Sequence, residues 1–320
     1  MSGHVPDAKI WFAGIVFFGL VGVVGYSLPH LQAAAPVEAA AETIAKPAPQ
    51  AFRPPLDAEP TDDKFGEMVR LGERIFNDTA ANAGEFVGND LRCANCHLDG
   101  GRLPNSAPLW AAFVNFPTYR PKNDHVNTFA ERLQGCFNYS MNGKAPPLGD
   151  KVLVALESYA AYLAKGARVG DNLPGRGYLK LAKPPELDVA RGEQVYAAKC
   201  AVCHGGGGEG QVTADGDVVF PPLWGSRSYN WGAGMSSVTN AAGFIKANMP
   251  LSQGGTLNDE DVWAVAAYID SRERPQDPRF SGSVAETRKA HHDSDYDFYG
   301  KMVDGRLLGE NSPPSGTVPR

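Results

Sequence analysis

The chain has 320 residues, a formal net charge of −6, 43% apolar and 10% aromatic residues. That is long enough for about two ordinary domains with real cores. The negative balance argues against a nucleic-acid partner or general adhesion to anionic membranes, while leaving room for a local basic pocket. Five cysteines are too sparse for a disulfide scaffold.

Ile10–Leu28 carries no charge and approaches the ~20 residues a membrane-spanning helix needs. Lys9 and His4 before it give a weakly positive flank, which places the N-terminus inside. Residues 1–31 are therefore expected to be a single-pass anchor in the inner membrane. The small residues Ala33–Ala35 and Ala39–Ala41 support the rival reading of a cleaved signal. Either way the remainder is exported to the periplasm. Residues 32–60, rich in Ala and Pro, read as a tether.

A first folded domain is expected over residues 61–167. Asp63–Phe76 places Phe65, Met68, Val69, Gly72, Ile75 and Phe76 on one helical face, and Lys151–Leu163 repeats the pattern with Val152, Leu153, Leu156, Tyr159, Tyr162 and Leu163. Between them stand Cys93, Cys96 and His97, spaced Cys-x-x-Cys-His. This is the attachment sequence of a c-type haem. Two thiols one helical turn apart can both form thioethers to one porphyrin edge, and the adjacent histidine reaches the iron. A second copy, Cys200, Cys203 and His204, lies far outside the spacing of a zinc ribbon. Two covalently bound haem c groups are expected, in a mainly α fold of two tandem cytochrome c domains.

Residues 168–186, with Pro174 and Pro184–Pro185, read as a connector. The second domain, residues 187–274, repeats the plan: Val189–Ala198 leads into the second motif, and Asn258–Ser271 closes the domain with Asn258 as N-cap. The tail, residues 275–320, retains Phe280, Tyr296, Phe298 and Tyr299 and is expected to wrap over the domains, with His291 and His292 solvated.

A histidine-bound iron needs a sixth partner or an open site. For the second haem the candidates are Met235 and Met249, and Met249, followed by Pro250, is preferred beside His204. For the first haem they are His125, Cys136 and Met141. Cys136 belongs to neither pair, follows an Arg132-x-x-x-Cys136 turn, and as an unpaired thiol in an oxidising compartment calls for metallation. It is assigned to the iron opposite His97. A thiolate there also supplies a nucleophile towards sulfur compounds.

The stretches GNDLRCANCHLDGG, FPTYRPKNDHVNTFAERLQGCFNYSMNGK, AAKCAVCHGGGGEG, FPPLWGSRSYNWGAGM and FIKANMP resemble the dihaem thiosulfate dehydrogenase family, also described as tetrathionate reductases. The resemblance covers most of residues 88–274. It implies oxidation of thiosulfate to tetrathionate or the reverse, His97/Cys136 ligation, and a catalytic first haem. Electrons would leave through the second haem to a soluble cytochrome c, a high-potential iron–sulfur protein or a terminal oxidase. Some members carry lysine before the second methionine, where this chain has Asn248. The family's second arginine in Tyr-Arg-x-Arg is here Lys122, after Tyr119 and Arg120, which keeps the charge but loses bidentate binding.

The local composition agrees. Arg120, Lys122, Arg132 and Lys144 stand against Asp124 and Glu131 in an acidic protein, a patch suited to dianions. Arg132 and Ser140, each four positions from Cys136, are the leading substrate contacts, with Arg120 and Lys122 behind them. A non-catalytic electron shuttle, or an enzyme of this build acting on another sulfur compound, are the alternative readings.

Overall fold

The computed structural model describes residues 52–55, 60–214 and 216–316. The expected anchor at residues 1–31 and most of the tether lie outside them. Among the described residues no helix is long and apolar enough to cross a membrane.

In chain order the helices are α1 (Lys64–Asn77), α2 (Thr79–Ala83), α3 (Cys93–Cys96), α4 (Leu98–Gly101), α5 (Leu109–Phe113), α6 (Phe129–Gly135) and α7 (Lys151–Leu163). They are followed by α8 (Val189–Lys199), α9 (Ala201–His204), α10 (Val238–Asn248), α11 (Asp259–Asp270) and α12 (Val284–His291). Three antiparallel two-stranded ribbons complete the fold: β1 (Thr118–Arg120) with β2 (His125–Asn127), β3 (Gln211–Val212) with β4 (Val218–Phe220), and β5 (Met302–Val303) with β6 (Arg306–Leu307).

α1 starts where the Asp63 carboxylate accepts from the Gly66 amide at 2.8 Å. It buries Val69, Gly72, Ile75 and Phe76. Phe65 departs from the expected face: in the opening turn it points away from α7 and is 50% exposed. α11 begins at Asn258, whose side chain accepts from the Asp261 amide at 2.8 Å, with three acidic residues in the first turn complementing the helix dipole.

Two hydrophobic cores form. The first gathers around Trp110, Leu153, Leu156, Tyr159 and Leu163, the second around Trp231, Val238, Val262, Val265 and Tyr299. In each, an opening helix crosses a closing one through a glycine. A Cβ on Gly72 would stand 2.1 Å from the Ala155 carbonyl of α7, and one on Gly192 would stand 2.1 Å from the Ala264 carbonyl of α11. These contacts hold α1 on α7 and α8 on α11 at backbone distance.

The stretch expected as a connector is laced into the first half. Asn105 and Ala107 donate their amides to the Gly175 and Gly177 carbonyls at 2.7 and 2.8 Å. The tail does wrap the fold, but His292 is not solvated. It is 2% exposed, stacked on Tyr299, and held between Asp277 at 2.9 Å and Asp297 at 2.8 Å. Two carboxylates replace the water a histidine would otherwise need.

This clamp makes a pH prediction. Burial opposes a charged His292, but the hydrogen bonds it donates to Asp277 and Asp297 outweigh it and raise its pKa above 6.5. A raised pKa stabilises the fold fully below the unfolded value, and that contribution fades as pH climbs through the folded one. The difference in thermal midpoint between wild type and His292→Gln should therefore be largest near pH 6 and shrink towards pH 9. A difference independent of pH would show that the ring only packs.

Candidate active site

The two attachment motifs are built alike. Cys93 and Cys96 occupy one helical turn, α3, and His97 ends it. Cys200 closes α8, and Cys203 and His204 lie on α9. Each histidine has its Nδ1 against a main-chain carbonyl: His97 against Ala107 at 2.6 Å, His204 against Pro221 at 2.9 Å. A carbonyl can only accept, so Nδ1 carries the proton and Nε2 keeps its lone pair for a metal. Burial lowers both pKa values, His97 to about 4, and keeps both rings neutral. Four thiols free of disulfides and two oriented neutral imidazoles fit haem c.

One apolar cavity joins the motifs. Its lining includes Cys96 from the first, Cys200, Cys203 and His204 from the second, and Met249 after α10. Met235 lines it too and packs against both cores. The cavity thus admits both methionines to the His204 side, and it carries Tyr229 between the motifs.

Cys136 lies where α6 gives way to a π-helical turn, Cys136–Ser140. A capping box starts α6, with Thr128 and Glu131 each serving the other's amide. Four residues separate Arg132 from Cys136, so both project from one face. Arg132 Nη1 donates to Cys136 Sγ at 3.0 Å. The charge of Cys136, against burial, holds Arg132 protonated. Burial and then Cys136 push the Cys96 thiol up to about 11, so Cys136 lies within electrostatic reach of the first motif.

The other expected residues separate. Arg120 ends β1 beside Arg132 and Cys136. Lys122 sits in the turn beyond it, its ammonium 3.9 Å from the Tyr139 ring centroid and donating to the Gly232 carbonyl. Loss of water around that ammonium, followed by the Arg279 and Arg132 charges, lowers its pKa. Ser140 accepts at its carbonyl from Asn89 at 2.8 Å, while its hydroxyl makes no hydrogen bond among the described residues. Lys144 faces the Phe86 ring at 5.9 Å and takes no part in the cation group. Met141 is 3% exposed in the first core, and His125 is tied to Glu131 and Asn127 on β2.

Three neighbours were not anticipated. Tyr178, from the supposed connector, packs edge-on to Phe244 at 6.1 Å and feels the charges of Cys96, Arg132 and Cys136. Tyr139 follows Cys136 on the π-helical turn. Arg279 arrives from the tail, 5.2 Å from the Tyr139 ring. No local pattern marks Tyr178 or Arg279, because what places them is chain far away in sequence.

Fold and site together define a c-type cytochrome, and residues 187–269 match the family model of the cytochrome c oxidase cbb3-type subunit III. The thiosulfate dehydrogenase of Thiomonas intermedia is 55% identical over 264 residues, 82% of this chain and 84% of that one. That of Stutzerimonas stutzeri is 52% identical over 262 residues, 81% and 85% of the two chains. The solved thiosulfate dehydrogenase TsdBA from Marichromatium purpuratum superposes with a TM-score of 0.78 at 51% identity, over 81% of this chain and 57% of that chain. The chain belongs to the thiosulfate dehydrogenase family.

Proposed function

We propose that this protein is a dihaem enzyme that joins two thiosulfates into tetrathionate, reversibly, with residues 61–167 and 187–274 each carrying one haem. The observation that carries this reading is the Cys136 thiol, hydrogen-bonded by Arg132 at 3.0 Å and within electrostatic reach of the first motif and of Arg120. A structural cysteine needs neither cation.

Cys93, Cys96, His97 and Cys136 would hold the first haem. Cys200 and Cys203 would hold the second with His204 and Met249. When bound, the pair supplies one-electron acceptors, so a two-electron sulfur oxidation can proceed in single steps. The protein's own residues do the rest. Arg120 and Arg132 draw in the dianion and orient its sulfane sulfur towards Cys136 Sγ. An S–S bond forms between that sulfur and the Cys136 thiolate, releasing two electrons. A second thiosulfate attacks the same sulfane sulfur, tetrathionate departs and the Cys136 thiolate is restored. Two thiosulfates thus yield one tetrathionate and two electrons, with no net change at Cys136.

The shared cavity supports an exit route from the first motif to the second. The acceptor would be a soluble cytochrome c, a high-potential iron–sulfur protein or a terminal oxidase. The N-terminal segment would anchor the enzyme in the inner membrane with its folded part in the periplasm. Purified holoprotein should reduce an artificial acceptor in proportion to thiosulfate, accumulating one tetrathionate per two electrons. Haem that is reduced by dithionite but not by thiosulfate would instead identify a shuttle.

A further inference from the structure

Tyr139 is attended by two cations from distant parts of the chain. Lys122 Nζ stands 3.9 Å from its ring centroid and Arg279 Cζ 5.2 Å. Arg279 is fixed from behind. Its Nε and Nη2 grip the two oxygens of Asp277 at 2.9 and 2.5 Å, and Asp277 accepts from His292, itself bound to Asp297. This leaves Nη1 with no hydrogen bond among the described residues. The Lys122 ammonium commits one hydrogen to the Gly232 carbonyl and keeps two. Lys122 is exposed and the Arg279 side chain is 19% exposed, so the pair is open to solvent.

The same tyrosine adjoins the inner cations. A Cβ on Gly135 would lie 3.9 Å from both Arg132 Nη1 and Tyr139 Cδ2. The cations thus form two groups: Arg120 with Arg132 at Cys136, and Lys122 with Arg279 at the Tyr139 ring.

Coupling two thiosulfates demands such a division. The two sulfane sulfurs must meet while their sulfonates point apart, because tetrathionate carries a sulfonate at each end. Two dianions also bring four negative charges into one pocket, more than Arg120 and Arg132 can offset. Cations of like sign drawn together repel each other, and an anion seated between them removes the penalty. We propose that Lys122 and Arg279, carried on the Tyr139 ring, form an outer subsite for the sulfonate of the second thiosulfate. This rests on the thiosulfate-coupling reading and adds a binding role for the C-terminal segment. The Asp277–His292–Asp297 chain holds Arg279 in place without spending Nη1.

Thiosulfate titrated calorimetrically into electrochemically reduced holoprotein, which cannot oxidise it, should bind as two equivalents per chain. Arg279→Gln and Lys122→Gln should each leave one tight equivalent and weaken the second by about ten- to hundredfold, the worth of a hydrogen bond to a charged group. KM for thiosulfate should rise in parallel while both haem potentials stay at their wild-type values. Arg279→Lys should recover part of the loss. Lys122→Gln leaves the Arg279–Asp277–His292 contacts untouched, so it guards against a general loosening of the tail. A defect in Arg279→Gln without one in Lys122→Gln would assign the effect to tail packing and overturn the subsite, as would two equivalents at wild-type affinity in both variants. If wild type neither binds nor oxidises thiosulfate, the coupling reading itself fails.

Discussion

Cys136→Met should leave haem attachment intact and reduce thiosulfate turnover by at least about a thousandfold, the scale of losing a covalent nucleophile. Attachment depends on Cys93, Cys96, Cys200 and Cys203, none of which touches the substitution. Methionine restores a sulfur that can face iron but carries no charge and cannot form the S–S bond. The potential of the first haem should rise, since a thioether favours the ferrous state. Arg132 would face a thioether in place of the cysteine sulfur, with its guanidinium still available to substrate. Binding of thiosulfate should therefore fall far less than turnover. The informative comparison is thiosulfate-dependent reduction against reduction by dithionite in the same preparation. Near wild-type thiosulfate turnover would refute the role of Cys136 as nucleophile and favour a shuttle working at a shifted potential.

Arg132→Gln should lower kcat/KM by about a hundred- to a thousandfold, the usual cost of removing one preorganised donor from developing charge. The 3.0 Å hydrogen bond from Nη1 is the charged contact to Cys136 Sγ, and i to i+4 spacing on α6 presents it without loop strain. Glutamine keeps much of the stem's packing and one donor group but no charge. Two results should accompany the rate loss. The first haem's potential should shift, because a cation beside its proposed thiolate ligand has gone. Arg132→Lys should recover only part of the rate, since an ammonium cannot serve Sγ and an anion with a planar fork. Full activity in Arg132→Gln would reduce Arg132 to a surface charge and undermine the inner binding site.

Much of the fold was legible in sequence because its signals are local. The periods of α1, α7, α8 and α11 lie within single helices, and their ends are marked by Asp63, Asp150, Asp188 and Asn258 as side-chain caps. α10 was passed over. It is buried on nearly every face, so it lacks the polar stripe that reveals an amphipathic helix. The ribbons were missed because two or three residues per strand hold no alternation to read.

By itself, the sequence determined the chemistry that covalent spacing dictates: Cys-x-x-Cys-His twice, a leftover Cys136, and Arg132 one turn before it. Helical geometry converts those short intervals directly into positions, so no tertiary information is required. Tertiary structure decided which distant charges share a space. It brought Arg279 onto the Tyr139 ring and Tyr178 towards Cys136, removed Lys144 from the cation group, and buried His292 between two carboxylates. Such meetings follow from chain closure and packing, with Arg279 reaching Tyr139 from more than a hundred positions away. Side chains that meet across loops leave no periodic trace along the chain, and only the folded backbone supplies the distance that tells a substrate contact from a surface charge.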